Sequence, residues 1–270
     1  MDGGAPTTFT ATIETESTKT ALGSLSGGVR PVHWSQKDTI SIGGGIYEVS
    51  SIDATNPTKA TFTGSGATLS EGKYKAYYPE KIYHGGTPTL PATQTYVAGR
   101  IDNLPMYAEA VSPSTLLNFK NLCAVLEVKL SGDGSKRLRR IEVSSTGTNK
   151  YLSGPFTVNW NNENPTLTFS SGASQLVTLD CGNTGVLLTS TEQSFFIAIP
   201  AQEYTAGTLT VTAYDTANQQ IASFPSKTTS TLQRSMIYEV KKAAGIFADP
   251  YPYTQGQEYN EINNLSKNWK

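Results

Sequence analysis

Apolar and polar residues alternate along most of the chain, with the period of two that is typical of half-buried β-strands. A clear short example is residues 9–13, where Phe9, Ala11 and Ile13 alternate with threonines. Segments rich in strand-forming residues recur at 40–49, 74–78, 116–130, 156–158, 167–169, 176–179, 195–199, 209–214 and 236–240. Turn residues separate these segments and the pattern of amphipathic helices is missing, so the sequence predicts an all-β sandwich or barrel.

A hairpin is predicted over residues 40–49, where two short apolar runs flank the triplet Gly43-Gly44-Gly45. Glycine supplies the positive φ angles that tight hairpin turns require. The triplet lacks the Lys-Ser/Thr pair and the following helix of a phosphate-binding loop, so we interpret it as a turn.

The longest apolar run is 116–130, and its periodicity alone fits either a strand or a buried helix. Its β-branched residues and the turn sequence Ser131-Gly132-Asp133-Gly134 favour strand. Cys123 lies inside this run and is expected to be a small buried side chain. We expect no disulfide between Cys123 and the distant Cys181.

The chain divides into three predicted parts. A turn-rich stretch near 145–149 suggests an N-terminal β-sandwich at 1–147 and a C-terminal β-sandwich at 148–245. Residues 246–270 contain prolines and then a polar stretch, so they are predicted to form a tail or a strap over the surface.

Composition narrows the function classes. Thr and Ser are abundant at 36 and 26 residues, and only 16% of the 270 residues are charged. Lys and Arg number 21 and Asp and Glu 22, which leaves a net charge of −1 and no basic field for nucleic acid. The basic cluster 136–140 is therefore interpreted as a solvated strand entry. No run approaches the roughly 20 apolar residues of a membrane-spanning helix.

The residues that commonly perform catalysis are scarce. The two histidines, His33 and His84, accompany no nucleophile motif, and His and Cys never occur at zinc-ligand spacing. We therefore expect no enzyme, no catalytic or metal-binding residues and no cofactor. A glycosidase needs just two carboxylates that the fold brings together, so that class stays open as a remote alternative. Tyr and Trp residues could also bind sugars by stacking, although core packing explains them equally well.

Several motifs occur in the order found in one family. They include Tyr74–Pro79, similar to Y-x-A-x-Y-P, and Val32–Ile40, similar to v-W-s-x-g-D-x-I. The others are 9–14, 19–22, 90–94, 106–108, 119–126, 199–204, 209–211 and 234–238. Together they span about residues 7–242 and resemble the fimbrillin and Mfa-like proteins of Bacteroidetes, which are subunits of the type V pilus or its relatives.

The resemblance implies two tandem transthyretin-like Greek-key β-sandwich domains and no enzyme activity. It also implies export as a lipoprotein to the cell surface, with outer-membrane attachment through a lipid anchor that these 270 residues do not contain. The implied partners are other fimbrial subunits and a surface glycan or protein of the host or of bacteria. Family pilins polymerise by strand exchange, in which proteolysis removes the first strand and a neighbour's C-terminal segment fills the groove.

Carried onto this chain, the displaced first strand would contain Phe9, Ala11 and Ile13. Processing would follow a basic residue: Lys19 stands where the family usually has Arg, and Arg30 precedes Pro31, which makes a poor scissile bond. The prolines of 246–270 make that segment a poor donor strand. We therefore favour an accessory or tip-like subunit over a stalk subunit, with a non-polymerising surface lipoprotein that binds glycans or host protein as the alternative.

Overall fold

The computed structural model describes residues 5–14, 21–22, 32–83, 85–101, 104–161, 164–241 and 245–252. Apart from one 3₁₀ turn at Glu80–Ile82, the regular structure of this part of the chain is entirely strand. The first strands are β1 (Thr8–Ile13), β2 (Ala21–Leu22), β3 (Val32–His33), β4 (Thr39–Ile42), β5 (Gly45–Ile52), β6 (Lys59–Ser65), β7 (Lys73–Tyr78), β8 (Thr89–Leu90), β9 (Thr93–Val97), β10 (Arg100–Ile101), β11 (Met106–Val111) and β12 (Leu116–Asn121).

The later strands begin with the long apolar run. They are β13 (Cys123–Leu130), β14 (Arg137–Ser145), β15 (Gly154–Asn161), β16 (Asn164–Phe169), β17 (Leu176–Asp180), β18 (Val186–Leu187), β19 (Gln193–Pro200), β20 (Glu203–Tyr204), β21 (Leu209–Asp215), β22 (Gln220–Pro225), β23 (Ser230–Thr231), β24 (Met236–Lys241) and β25 (Gly245–Pro252). The predicted all-β class is confirmed, and the transthyretin-like Greek-key detail stays a prediction.

Seven strands close into a barrel in the order β1-β12-β11-β7-β4-β5-β6, with β6 returning to β1. The predicted hairpin joins β4 to β5, and both of its turn glycines have positive φ. A Cβ at Gly43 would lie 2.1 Å from the carbonyl oxygen of Thr68, so only glycine fits there.

The barrel encloses one apolar cluster, which we call the barrel core. Alternate residues of each strand supply it, as the period-two pattern predicted. Tyr74, Ala76 and Tyr78 all point into it from β7. Trp34 lies at its centre, 3% exposed, with edge-to-face contacts to Phe62, Tyr78 and Phe119.

Most of the later strands, together with β9 and β10, form a sandwich around a second cluster, the sandwich core. One layer has the strand order β10-β9-β17-β14-β21-β22, with β18 also paired to β14. The facing layer has the order β19-β13-β24-β25. Ile141 and Val211 of the first layer share this core with Leu126, Ile197 and Val240 of the second.

Within the four-stranded layer β13 is buried on both faces, which explains its uninterrupted apolar run. Ala124, Leu126 and Val128 face the sandwich core, whereas Cys123 and Val125 belong to a third cluster. This joining cluster also takes side chains from the barrel strands β7 and β11 and from the small sheet β16-β15-β8. A strand with two buried faces needs no polar alternation.

The limits 1–147, 148–245 and 246–270 stay a prediction. The barrel core takes its last side chain from Phe119, whereas the sandwich core already takes Tyr96 from β9, before the chain returns to the barrel in β11 and β12. Residues 246–252 of the predicted tail lie in β25, which pairs with β24 at the edge of its sheet. No helix in the described part of the chain is long and apolar enough to cross a membrane.

Candidate functional site: the first strand and its groove

The first strand, β1, closes the barrel by pairing with a neighbour on each side. It runs antiparallel to β6, with Phe9 opposite Phe62 and Ala11 opposite Ala60. It runs parallel to β12, with Ile13 opposite Phe119. Both edges of the space that β1 occupies are therefore lined with backbone groups that it satisfies, and we call this space the groove.

The three inward residues of β1 are Phe9, Ala11 and Ile13, and each is fully buried in the barrel core. The Phe9 ring makes edge-to-face contacts with Tyr47 and Tyr74, at centroid distances of 5.2 and 5.1 Å. The sequence therefore correctly identified which face of this strand lies inward. Displacement of this strand stays a prediction.

The outward residues of β1 are threonines. Thr8 is exposed, and Thr10 and Thr12 are half-buried. The strand thus has one apolar face, which fills pockets of the barrel, and one outward face of short polar side chains. Extended segments with this alternation are the kind that can add to a sheet edge.

A charged residue, Glu14, follows directly after the last inward residue, and its side chain is 6% exposed. Its Oε1 accepts hydrogen bonds from the Asn121 backbone N–H at 2.9 Å, from Arg234 Nη1 at 2.6 Å and from Ser235 Oγ at 3.3 Å. Its Oε2 lies 3.3 Å from Lys120 Nζ. Four donors, two of them cationic, therefore surround one carboxylate. We call the four residues that supply them, Lys120, Asn121, Arg234 and Ser235, the carboxylate receptor.

A cavity of about 480 Å³ opens beside the receptor. Its lining comes from the end of β1, from the link between β12 and β13, from β16 and from the segment before β24. The lining residues are Glu14, Leu122, Asn164, Pro165, Thr166, Leu167, Ala201, Gln233, Arg234, Ser235 and Met236. The end of β1 is thus a place where the barrel meets the later strands.

The receptor residues were missed by sequence reasoning. Glu14 was visible as the polar residue that ends the alternating segment, but Arg234 lies 220 residues further along the chain. No local pattern links two residues at that separation, because their contact depends on how the barrel and the sandwich meet.

The predicted processing residues Lys19 and Arg30 lie outside the described residues, as does His84. Cleavage after Lys19 or Arg30 therefore stays a prediction. His33 is half-buried in β3. In the described part of the chain, no group of three or more His, Cys, Asp or Glu residues could hold a metal ion.

The two cysteines are both free thiols, Cys123 buried and Cys181 half-buried. Burial raises the pKa of the Cys123 thiol. Burial, with a smaller contribution from the Asp180 carboxylate, raises the pKa of the Cys181 thiol to about 12. Both thiols are therefore protonated and weakly nucleophilic near neutral pH, which does not suit a catalytic cysteine.

No protein-family model matches the chain, and no curated protein matches its sequence. A candidate cell adhesion protein from Bacteroides ovatus ATCC 8483 has a similar structure at a TM-score of 0.45 and 13% identity, with 94% of this chain and 100% of that chain covered. One from Bacteroides uniformis ATCC 8492 reaches a TM-score of 0.48 at 15% identity, covering 94% and 99%. The tip fimbrial protein Mfa3 from Porphyromonas gingivalis, truncated at its C-terminus, has a TM-score of 0.34 and 10% identity over 91% and 98%. At these values the likenesses do not by themselves establish the family of this chain.

Proposed function

We propose that the chain is a structural and adhesive subunit of a cell-surface fimbria that assembles by β-strand exchange. In this proposal β1 is displaced, and an extended segment of a neighbouring subunit occupies the groove between β6 and β12. The chain is an accessory or tip-like subunit made of two transthyretin-like sandwich domains. It reaches the outer surface as a lipoprotein and has no enzymatic role.

The observation that carries the proposal is that β1 pairs with a neighbouring strand on each side, β6 and β12. Removal of β1 would leave two strand edges with unsatisfied backbone groups and three empty apolar pockets, at the positions of Phe9, Ala11 and Ile13. An extended segment with apolar residues at alternate positions satisfies both needs at once. The ordered motifs of the sequence support the same assignment independently of this geometry.

The test is an exchange experiment on the full chain. A recognition site for a specific protease is placed within residues 15–20, and cutting leaves β1 held by non-covalent contacts alone. A labelled peptide of residues 7–14 is then added in excess, and its incorporation is followed by native mass spectrometry. The matched control peptide carries Phe9→Asp and Ile13→Asp, which would place charges in apolar pockets.

We expect the native peptide to be incorporated and the control peptide to be excluded. If the cut chain also forms ladders of higher oligomers on its own, it is a stalk subunit and the tip-like assignment is wrong. If the native peptide is not incorporated and no oligomers form, strand exchange itself is wrong.

The alternative is a non-polymerising surface lipoprotein that binds glycans or host protein. Sugar binding by stacking uses exposed aromatic rings, and the Trp, Tyr and Phe residues from Phe9 to Tyr238 whose burial is described are all buried or half-buried. The geometry therefore favours strand exchange as the function to be tested first.

A further inference from the structure

The carboxylate receptor belongs to the groove and not to the strand that fills it. Lys120 and Asn121 end β12, and Arg234 and Ser235 immediately precede β24. Glu14 is the contribution of the displaceable segment, because it directly follows β1. When β1 leaves, the carboxylate leaves with it and the donors stay behind.

Contacts outside β1 hold the receptor in place. Arg234 Nε donates a hydrogen bond to Asn164 Oδ1 at 2.8 Å. The backbone N–H of Ser235 donates to the carbonyl oxygen of Cys123 at 3.0 Å, and Asn121 Nδ2 donates to Ser235 Oγ at 3.3 Å. The donors are therefore positioned by β12, β13 and β16, and departure of the first strand leaves these contacts unbroken.

The two cationic side chains of the receptor, Lys120 and Arg234, are 15% and 23% exposed, so they meet the carboxylate in a largely buried site. Hydrogen bonds from cationic donors to a carboxylate are stronger than those to a neutral acceptor. An incoming strand with a carboxylate at this position would therefore bind more tightly than a neutral one.

Resting on the proposed strand exchange, we infer that the groove selects a partner strand with an acidic residue directly after its last inward apolar residue. Lys120, Arg234, Ser235 and the Asn121 N–H recognise that carboxylate. The acceptable segment has a large apolar residue, a small residue and an aliphatic residue at alternate positions, followed at once by Asp or Glu. The small residue is required because the Ala11 position is fully enclosed opposite Ala60.

The receptor also fixes the direction and the register of the partner. The carboxylate must lie at the end where β12 reaches Asn121, so the entering strand must run parallel to β12, as β1 does. A strand that entered the other way, or shifted by two residues, would move its acid away from the two cations. Apolar pockets alone do not fix the direction of the entering strand, since its apolar residues alternate in the same way from either end.

The experiment uses the cut full chain described above with two peptides that differ in one residue. An equimolar mixture of the C-terminally amidated 7–14 peptide and its Glu14→Gln form competes for the groove, and native mass spectrometry gives the ratio of the two complexes. We expect the Glu form to be preferred by about tenfold, because charge-assisted hydrogen bonds are roughly twice as strong as neutral ones.

A substitution in the groove tests whether Arg234 produces the preference for the peptide that carries Glu14. Arg234→Gln should reduce the preference to about threefold or less, whereas Arg234→Lys should keep part of it because the charge remains. The distant Arg139→Gln, whose partner is Asp180, is the matched control and should leave the preference unchanged. The two-peptide comparison needs no groove variant, so a folding defect in Arg234→Gln does not affect it.

Equal incorporation of the two peptides would overturn the selection of an acidic partner strand and leave strand exchange intact. Incorporation of neither peptide would overturn strand exchange, and the inference with it. The two failures are therefore distinguishable in one measurement.

Discussion

The first described strand, β1, and the last strand but one, β24, have similar positions beside the apolar run 116–130 but different burial. Each runs parallel to one part of the apolar run 116–130, β1 beside β12 and β24 beside β13. β1 supplies side chains to the barrel core alone. β24 supplies Ile237 to the joining cluster and Tyr238 and Val240 to the sandwich core.

This difference indicates which strand can leave. Loss of β1 would open a single core, and its outward threonines already face away from that core. Loss of β24 would open two cores at once and would also release β25, which pairs with it. The burial of β1 in a single core is therefore consistent with the proposed exchange of this strand. β24 contributes to two cores and so connects the barrel side of the molecule to the sandwich.

The largest expected effect tests the one-sided burial of β1. Phe9→Ala should lower the free energy of unfolding by about 3–5 kcal/mol, because it leaves a cavity between Tyr47 and Tyr74. Thr12→Ala, on the outward side of the same strand, should change it by less than about 0.5 kcal/mol. Urea unfolding measures both, and similar losses in the two variants would contradict the assignment of faces.

A matched pair of isoleucines compares the two strands directly. Ile13 and Ile237 are both fully buried, so Ile13→Ala and Ile237→Ala should each cost about 2–5 kcal/mol. Their local effects should differ when amide hydrogen exchange is measured. Ile13→Ala should speed exchange in β6 and β12, which pair with β1, and Ile237→Ala in β13 and β25.

If Ile13→Ala instead increased exchange in β13 as much as in β12, the barrel and the sandwich would open as one unit. In that case β1 could not leave without disturbing the rest of the molecule. The control is Ile13→Val, which should show the same pattern of exchange with a loss of about 0.5–1.5 kcal/mol.

The smallest expected effect compares the acid sensitivity of the two halves. Hydrogen bonds from the side chain and backbone of Thr55 lower the pKa of the Asp53 carboxyl, next to the barrel. A hydrogen bond from the backbone of Gln219, with a second from Lys136, lowers the pKa of Asp215 on the sandwich side. A carboxyl whose pKa is lower in the folded state stabilises it above the unfolded value of about 3.9, and this contribution is lost as the pH falls through the folded pKa.

We therefore expect Asp53→Asn and Asp215→Asn each to weaken the dependence of the urea midpoint on pH between about 5 and 2. The control is Thr12→Ala, on the outward side of β1, which changes no carboxyl and should keep the full slope. An unchanged slope in both Asn variants would show that other carboxyls dominate acid unfolding.

Much of the strand content could be predicted because it depends on local patterns. The β4–β5 hairpin follows from its glycines, and the inward face of β1 follows from alternation. The ambiguity of the run 116–130 also has a physical cause, since β13 is buried on both faces and so carries no polar stripe. Prolines in 246–252 suggested a tail, yet an edge strand tolerates proline and β25 lies at an edge.

The long-range relations could not be predicted from one sequence. The chain enters a sandwich layer in β9 and β10, returns to the barrel in β11 and β12, and leaves it again in β13 without a break in composition. The carboxylate receptor, which holds Glu14, is made of residues near 120 and near 234. Such contacts depend on how two folded units meet, which alternation and turn signals do not encode.

The parallel pairing of β1 and β24 with one continuous run has a kinetic consequence. Ile13 meets Phe119 and Ile237 meets Val125, so each half of the molecule is completed by partners more than 100 residues apart. Non-local pairings of this kind are slow to form, because much chain must be ordered before the contacts stabilise it. During synthesis from the N-terminus, β6 emerges before β12, so β1 can pair on one side while its other edge waits for β12. Until then that edge of β1 is unpaired, and a competing strand could add to it.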